Sequence, residues 1–270
     1  MRPLIMGVVN VTPDSFSDGG DTYDAESAIA HGRKLAADGA DILDIGGEST
    51  RPGSSPISVE LEIARVLPVI TALADEGFLV SVDTRNSAVM EAAVGAGAKI
   101  INDVSALEGE GSLSVAASCG ASVILMHKLG DPRTMQAAPD YDNVTQDVRD
   151  YLVGRIKVCE DAGLGLDRIA IDPGIGFGKD LSHNLALLAR LDDIADLPVP
   201  LVLGVSRKSF IGRLSAGAGN KNAKGRLGGS LAAALAGVAR GASILRVHDV
   251  AETRQALDVW MAIEGTSQAL

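Results

Sequence analysis

Eight times along this chain a short aliphatic run stops on a polar residue or a glycine turn and a stretch with helical spacing follows, and that alternation restricts the fold more than any other feature. The runs are Leu4 to Val9, Asp41 to Ile45, Leu79 to Val82, Lys99 to Ile101, Ser122 to Leu125, Arg168 to Ile171, Val199 to Leu203 and Ser243 to Leu245. Each is too short for a helix, and the first, Leu4 to Val9, is a continuous aliphatic run of the kind that marks a strand buried on both faces. The segments between them read as helices: Ala25 to Asp38, Val59 to Glu76, Ala88 to Gly95, Ser112 to Cys119, Val144 to Ala162, Leu181 to Leu191, Leu227 to Ala239 and Ala251 to Ile263. Gly39 and Gly163 close two of them as C-terminal caps. Eight β-then-α units without an intervening linker predict a single (β/α)8 TIM barrel domain spanning residues 1–270. A doubly wound open sheet is the alternative, but it would leave some strands without a polar terminator.

The content of 46% hydrophobic but only 3% aromatic residues implies a core of Val, Ile, Leu and Ala, as buried parallel strands under helices require. A net charge of −11 argues against general nucleic-acid binding, which depends on a basic face. No apolar run approaches the ~18 residues of a membrane span. Cys119 and Cys159 cannot form a disulfide framework for a chain of 270 residues. With no basic-then-apolar segment before the first strand, the expected location is the cytoplasm.

In such a barrel the loops at the C-terminal ends of the strands share one face. The residues delivered there would be Asn10, Asp44, Asp83, Asn102, Met126, Asp172, Lys208, Arg246 and His248. Any one Asp or Asn after a strand is more often a helix cap than a catalyst. Polar groups on nearly every strand end are harder to explain as caps. Two of the loops, Asn10 to Gly20 and Gly46 to Gly53, exceed the usual length of roughly 2–6 residues and are rich in carboxylates and hydroxyls.

Several chemistries are excluded by spacing. His31, His127, His183 and His248 do not pair with one another or with Cys at zinc-ligand spacing. Gly174-Ile-Gly-Phe-Gly-Lys179 imitates a phosphate loop, but it has three residues between its first and last glycines and Asp180 after the lysine. It reads instead as a backbone floor for a flat ligand. No Gly-x-Ser-x-Gly elbow occurs. What remains is a deep set, Asp83, Asn102, Asp172 and Lys208, suited to the edge of a planar nitrogen heterocycle. Beside it Asn10, Asp18, Arg51, Arg246 and His248 form an anion site able to include a hard divalent cation.

The blocks Asn10-Val-Thr-Pro-Asp-Ser-Phe-Ser-Asp18, Gly47-Glu-Ser-Thr-Arg-Pro-Gly53, Ser81-Val-Asp-Thr84, Ile101-Asn-Asp-Val104, Asp172-Pro-Gly-Ile-Gly-Phe-Gly178, Gly204-Val-Ser-Arg-Lys208 and Arg246-Val-His-Asp249 closely resemble the dihydropteroate synthase family, the sulfonamide targets of folate synthesis. The resemblance runs from about Pro3 to Glu264. It implies a TIM-barrel transferase that joins 6-hydroxymethyl-7,8-dihydropterin pyrophosphate to p-aminobenzoate with loss of pyrophosphate, uses Mg2+ and forms a homodimer. It assigns the pterin to Asp83, Asn102, Met126, Asp172, Phe177, Gly204, Lys208 and Arg246, and catalysis to Asp83, Lys208 and Asn10. Pyrophosphate falls to Asn10, Arg51, Arg246 and His248; p-aminobenzoate to Phe16, Thr50, Arg51, Pro52 and Ser206; the metal to Asn10 and Asp18.

Two departures stand out: only three residues precede the first strand, where many relatives carry a lead-in over the barrel floor, and Lys128-Leu129 follows Met126-His127. A pterin-binding barrel that passes a methyl group to a corrinoid partner would share the Asp and Asn contacts but needs neither polar loop. A non-catalytic paralogue is opposed by the intact Asp83, Asn10, Arg51 and Lys208. Because both loops carry ligands for the anion and metal, the p-aminobenzoate site is expected to assemble only after pterin and pyrophosphate bind. A sulfonamide titrated with and without pyrophosphate, Mg2+ and a pterin should bind far more tightly in their presence; equal dissociation constants would defeat ordered assembly.

Overall fold

The structure, a computed structural model, describes residues 2–12, 25–49, 56–130, 139–215 and 222–267. Eight strands, β1 (Leu4–Asn10), β2 (Ile42–Gly46), β3 (Val80–Asp83), β4 (Ile100–Asp103), β5 (Ser122–Met126), β6 (Ile169–Asp172), β7 (Val202–Leu203) and β8 (Ile244–Val247), form one parallel sheet ordered β6-β5-β4-β3-β2-β1-β8-β7. A parallel bridge between Ile171 and Leu201 joins the two ends of that order and closes the barrel. The seam is thin for a chemical reason. Pro198 and Pro200 remove two backbone donors on the approach to β7, so the strand expected from Val199 shrinks to Val202–Leu203. The Pro200 carbonyl still accepts from Ile171 N at 2.9 Å.

Outside the barrel lie α1 (Ala25–Ala37), α2 (Val59–Asp75), α3 (Ser87–Gly95), α4 (Ser112–Ser118), α5 (Val144–Asp161), α6 (Leu181–Ala189), α7 (Asp192–Ala195), α8 (Ser209–Leu214), α9 (Leu227–Val238) and α10 (Val250–Ser267). The helix expected to run to Leu191 ends at Arg190, whose φ of −119° and ψ of 34° leave the helical region, and α7 resumes two residues later. The short α8 was not legible, because six residues carry too little periodicity to stand out. Among the described residues no helix is long and apolar enough to cross a membrane.

Strand alternation divides the buried side chains between two cores. Ile5, Val9, Leu43, Ile45, Val82, Ile101, Leu125, Ile171 and Leu203 point outward into the large layer beneath the helices. Met6, Ile42, Ile124, Ala170 and Val202, with Ile100 and Ile244 against them, form a separate plug inside the barrel. The plug and the functional face are linked by the strand period. Two residues beyond each plug residue comes Val8, Asp44, Met126, Asp172, Gly204, Asn102 or Arg246, and on β3 Ser81 is followed likewise by Asp83. An apolar floor thus lies directly under a polar layer.

Asp103 keeps to the alternation but is polar where the outward positions are apolar: it is buried on the helix side, where its carboxylate accepts from Ser105 N at 2.7 Å and Leu107 N at 2.9 Å. Those bonds hold a turn in which Ala106 and Leu107 have φ of 49° and 59°, the left-handed region that ordinary residues avoid. Burial pushes its pKa up to about 6 despite the two amide donors.

Ile42 is 2% exposed within the plug. Ile42→Ala should lower unfolding stability by about 2–5 kcal/mol, the transfer loss plus the cavity left behind. A urea midpoint that falls at constant slope would show this; an unchanged midpoint would mean that the plug collapses to fill the space.

Candidate active site

A cavity of about 670 Å3 opens at the C-terminal ends of the strands and is lined by Asn10, Asp83, Asn102, Met126, Asp172, Phe177, Gly204, Ser206, Lys208, Arg246 and His248. These are eleven of the sixteen residues to which the family resemblance assigns roles; Asp44, also expected at the strand ends, is buried beneath the lining. The other five, Phe16, Asp18, Thr50, Arg51 and Pro52, lie outside the described residues.

The base of the cavity is organised by charge. Arg246 on β8 reaches across the barrel, its Nε donating to Asp44 Oδ2 and its Nη2 to Asp83 Oδ2, both at 2.6 Å. Asp44 is fully buried and also accepts from Asn102 Nδ2 at 3.0 Å. The amide of Asn102 is thereby oriented by a residue that no substrate need touch. Burial pushes the Asp83 carboxyl up to about 7 even though Arg246 pulls the other way, with Asp44 adding to the rise. Burial alone would depress the Arg246 guanidinium, but Asp44 and Asp83 outweigh it and hold the charge firmly in place.

Asp172 and Lys208 form a second pair. Burial raises the Asp172 pKa, opposed first by Lys208. Burial also lowers Lys208 to about 8, while Asp172 supports its charge. Asp172 Oδ1 accepts from Gly174 N at 2.7 Å. The carboxylate therefore caps its own turn with one oxygen and keeps Oδ2 near Gly204, on the cavity side. Lys208 Nζ donates to the carbonyl of Ile175 and stands 4.9 Å from the centre of the Phe177 ring.

The glycine loop differs in part from its expected role. A Cβ on Gly174 would lie 1.9 Å from the His127 carbonyl oxygen and one on Gly178 would lie 2.3 Å from that of Leu129, both at positive φ. Those two glycines are required by the neighbouring β5 loop rather than by a ligand; Gly176, between them, lines the cavity. Asn184 on α6 pins that segment, accepting from Gly176 N at 2.6 Å. Nothing local in the sequence marks Asn184, because its role depends on where α6 docks.

At the rim, the Ser206 hydroxyl accepts from His248 N at 3.2 Å and lies 3.1 Å from His248 Nδ1. The hydroxyl can donate to Nδ1 or accept from it through its second lone pair, so this contact fixes the ring's position, and the tautomer sets which atom donates. Ser206 thus holds His248, a role not foreseen from the sequence. Arg207, at φ 60°, pairs with Asp249 and takes Arg226 Nη1 on its carbonyl at 2.8 Å. It stood inside a recognised block, but its partners come from other elements.

Among the described residues no cluster of three His, Cys, Asp or Glu side chains could hold a metal. Asn10, at the end of β1, lines the cavity, and its amide carries a neutral oxygen.

A parallel (β/α)8 barrel with a deep polar layer able to grip a flat heterocycle, and cations around it, defines a class of barrel enzymes with their site at the strand ends. Residues 6–248 match the family described as pterin binding enzyme. The dihydropteroate synthase of Escherichia coli K12 is 47% identical over 99% of this chain and 93% of its own. The Xanthomonas albilineans dihydropteroate synthase with 4-aminobenzoic acid superposes with a TM-score of 0.91 at 50% identity, over 97% of this chain and 93% of that one. The same organism's enzyme in complex with 7,8-dihydropteroate gives 0.88 at 47% identity, over 97% and 94%. The chain belongs to the pterin-binding enzymes, among the dihydropteroate synthases.

Removing Arg246 would leave two buried carboxylates without their cation. Arg246→Met is expected to cost about 3–5 kcal/mol of stability. The loss should grow with pH. A carboxyl whose folded pKa is raised binds more protons folded than unfolded, so stability falls as pH climbs from the unfolded value near 4 toward the folded value of about 7. Without Arg246 that window extends upward. Urea unfolding at several pH values from 5 to 8 checks this, and a loss that stays constant with pH would contradict it.

Proposed function

We propose that the chain joins 6-hydroxymethyl-7,8-dihydropterin pyrophosphate to p-aminobenzoate in the cytoplasm, giving 7,8-dihydropteroate and pyrophosphate. The observation that carries this reading is the convergence of Asp172, Asn102, Lys208 and the Asp83–Arg246 pair in one cavity above an apolar plug.

Asp172 Oδ2 and the oriented Asn102 amide take the hydrogen-bonding edge of the pterin, while Met126 and Phe177 face its rings. Gly204, lacking a side chain, leaves room beside Asp172 and Lys208. The methylene carbon loses its bond to pyrophosphate, and the electron pair leaves with the pyrophosphate. The resulting cation is conjugated with the electron-rich ring. Asp83 and Asp172, buried and fixed before the reaction starts, stabilise that positive charge where water cannot screen it. His248 and the outer nitrogen of Arg246 face the departing anion. The amine of p-aminobenzoate then forms the C–N bond and releases a proton. Stabilisation of separating charges replaces a strong base.

The Asn10 oxygen fits Mg2+, which commonly keeps several waters and takes only one or two protein ligands beside substrate phosphates. Asp18 would be the second ligand, and bound metal would neutralise charge on the pyrophosphate. Arg51 would complete the anion site, and Thr50, Arg51, Pro52, Phe16 and Ser206 would form the p-aminobenzoate end, where sulfonamides would compete. A two-fold dimer belongs to the same reading, supported by the exposed Val259 and Ile263 of α10; monomer mass by light scattering at micromolar concentration would remove it.

The decisive assay combines the protein with pterin pyrophosphate, p-aminobenzoate and Mg2+ and scores pyrophosphate and dihydropteroate. Pterin binding without release of pyrophosphate would overturn the catalytic reading. Asp172→Asn separates ligand recognition from turn capping. The amide oxygen can still accept from Gly174 N, but its NH2 would meet a pterin donor. Pterin affinity should therefore fall by roughly 2 kcal/mol, about thirtyfold, with little change in Tm. Calorimetry showing intact affinity and a lowered Tm would reduce Asp172 to a cap.

A further inference from the structure

Lys179 ends the glycine-rich run that imitates a phosphate loop, and nothing in the chemistry above employs it. In a phosphate loop this lysine would reach toward a ligand. Here it is 1% exposed and does not line the cavity. The side chain turns beneath its own loop, where Nζ donates to the carbonyls of Gly174 and Phe177, each at 3.0 Å, and lies 2.8 Å from His127 Nδ1. An ammonium has three hydrogens, and three acceptors take them. Burial pushes Lys179 down to about 7, with Asp172 supporting its charge; the charged form is satisfied without water, and in that form His127 presents an unprotonated Nδ1 and carries its hydrogen on Nε2. Burial, and after it the charge of Lys179, pushes His127 down to about 3, so the ring stays a neutral acceptor. Its faces are closed by Tyr151, edge-on at 4.9 Å, and by Tyr141 at 6.1 Å.

The groups held by Lys179 are those that shape the heterocycle pocket. Gly174 gives its carbonyl to Lys179 and its N–H to Asp172 Oδ1 at 2.7 Å, so the turn beneath that carboxylate is held from both sides. Phe177, whose carbonyl is the second anchor, places its ring 4.9 Å from Lys208 Nζ. Between these anchors the Ile175 carbonyl receives Lys208. The third anchor, His127, belongs to the β5 loop, and its backbone N–H donates to the Asp172 carbonyl at 3.0 Å. One buried cation therefore ties together the turn under Asp172, the seat of Lys208 and the neighbouring loop.

We propose that Lys179 is a positioning residue for pterin recognition: its buried ammonium fixes the Gly174 and Phe177 carbonyls against His127, and so sets Asp172, Phe177 and Lys208 in the arrangement that receives the ring. The inference rests on the pterin reading of the cavity. The competing view is that Lys179 contributes to stability alone.

The experiment uses the full chain with Lys179→Met, and with Lys179→Gln, which keeps an NH2 donor, should the methionine variant fail to fold. Affinity for 6-hydroxymethylpterin is measured by calorimetry, well below each variant's Tm, and the protonation state of His127 is followed by ring 15N NMR. Pterin affinity is expected to fall about tenfold or more in Lys179→Met and less in Lys179→Gln, as misplacement of binding groups dictates. His127 should lose its fixed Nε2–H form in the methionine variant. Variants that bind the pterin within about twofold of wild type, with only Tm lowered, would overturn the proposal while leaving the pterin reading intact. Wild-type protein that does not bind the pterin would overturn that reading and the proposal with it.

Discussion

The ion triad of Asp44, Asp83 and Arg246 is the constraint around which the site is built. Two carboxylates and a guanidinium buried within one barrel are costly to desolvate, and only their mutual bonds make the arrangement tolerable. The triad joins β2, β3 and β8, and through Asn102 it extends to β4. It therefore fixes the relative heights of four strands at the level where a substrate must be read. Only the outermost parts of these groups remain for ligand chemistry. A site whose charges are already committed in the empty protein needs little reorganisation when charge develops during a reaction.

Placing such a layer inside a barrel requires a dry floor beneath it, and the plug of Met6, Ile42, Ile124, Ala170 and Val202 supplies one. The two-residue strand period makes floor and site inseparable. A residue that fills the plug forces its second neighbour upward into the cavity, so core packing and ligand recognition are one specification. The β6 loop adds a second kind of rigidity. Gly174 and Gly178 adopt left-handed conformations where the β5 loop leaves no space for a side chain, and Asp172 is both part of that turn and open to the cavity. Capping and binding, which compete as explanations of an Asp after a strand, are carried out by the two oxygens of one carboxylate.

Much of this was legible before any coordinates. Alternating aliphatic runs and helical stretches specified an eight-fold parallel barrel, because buried strands and covering helices have different periods. Polar terminators marked the functional face, and motif blocks marked the family. Boundaries failed where local chemistry intervened, as at Pro198 and Pro200 before β7 and at Arg190 after α6.

What the sequence determined by itself was therefore which residues face inward at the ends of the strands; what only the tertiary structure decided was which groups they meet there. Arg246 and Asp44 are separated by 202 positions, and closure of the barrel brings them to 2.6 Å. Asn102 and Asp103 are adjacent and equally polar, yet strand alternation sends one into the cavity and the other under the helices. Lys179 imitates a phosphate ligand in sequence and is buried in space because three acceptors from two loops converge on it. The physical reason is common to all three cases. Periodicity is a property of neighbouring residues, whereas the partner of a buried charge is set by the stagger of the closed sheet and the docking of its loops.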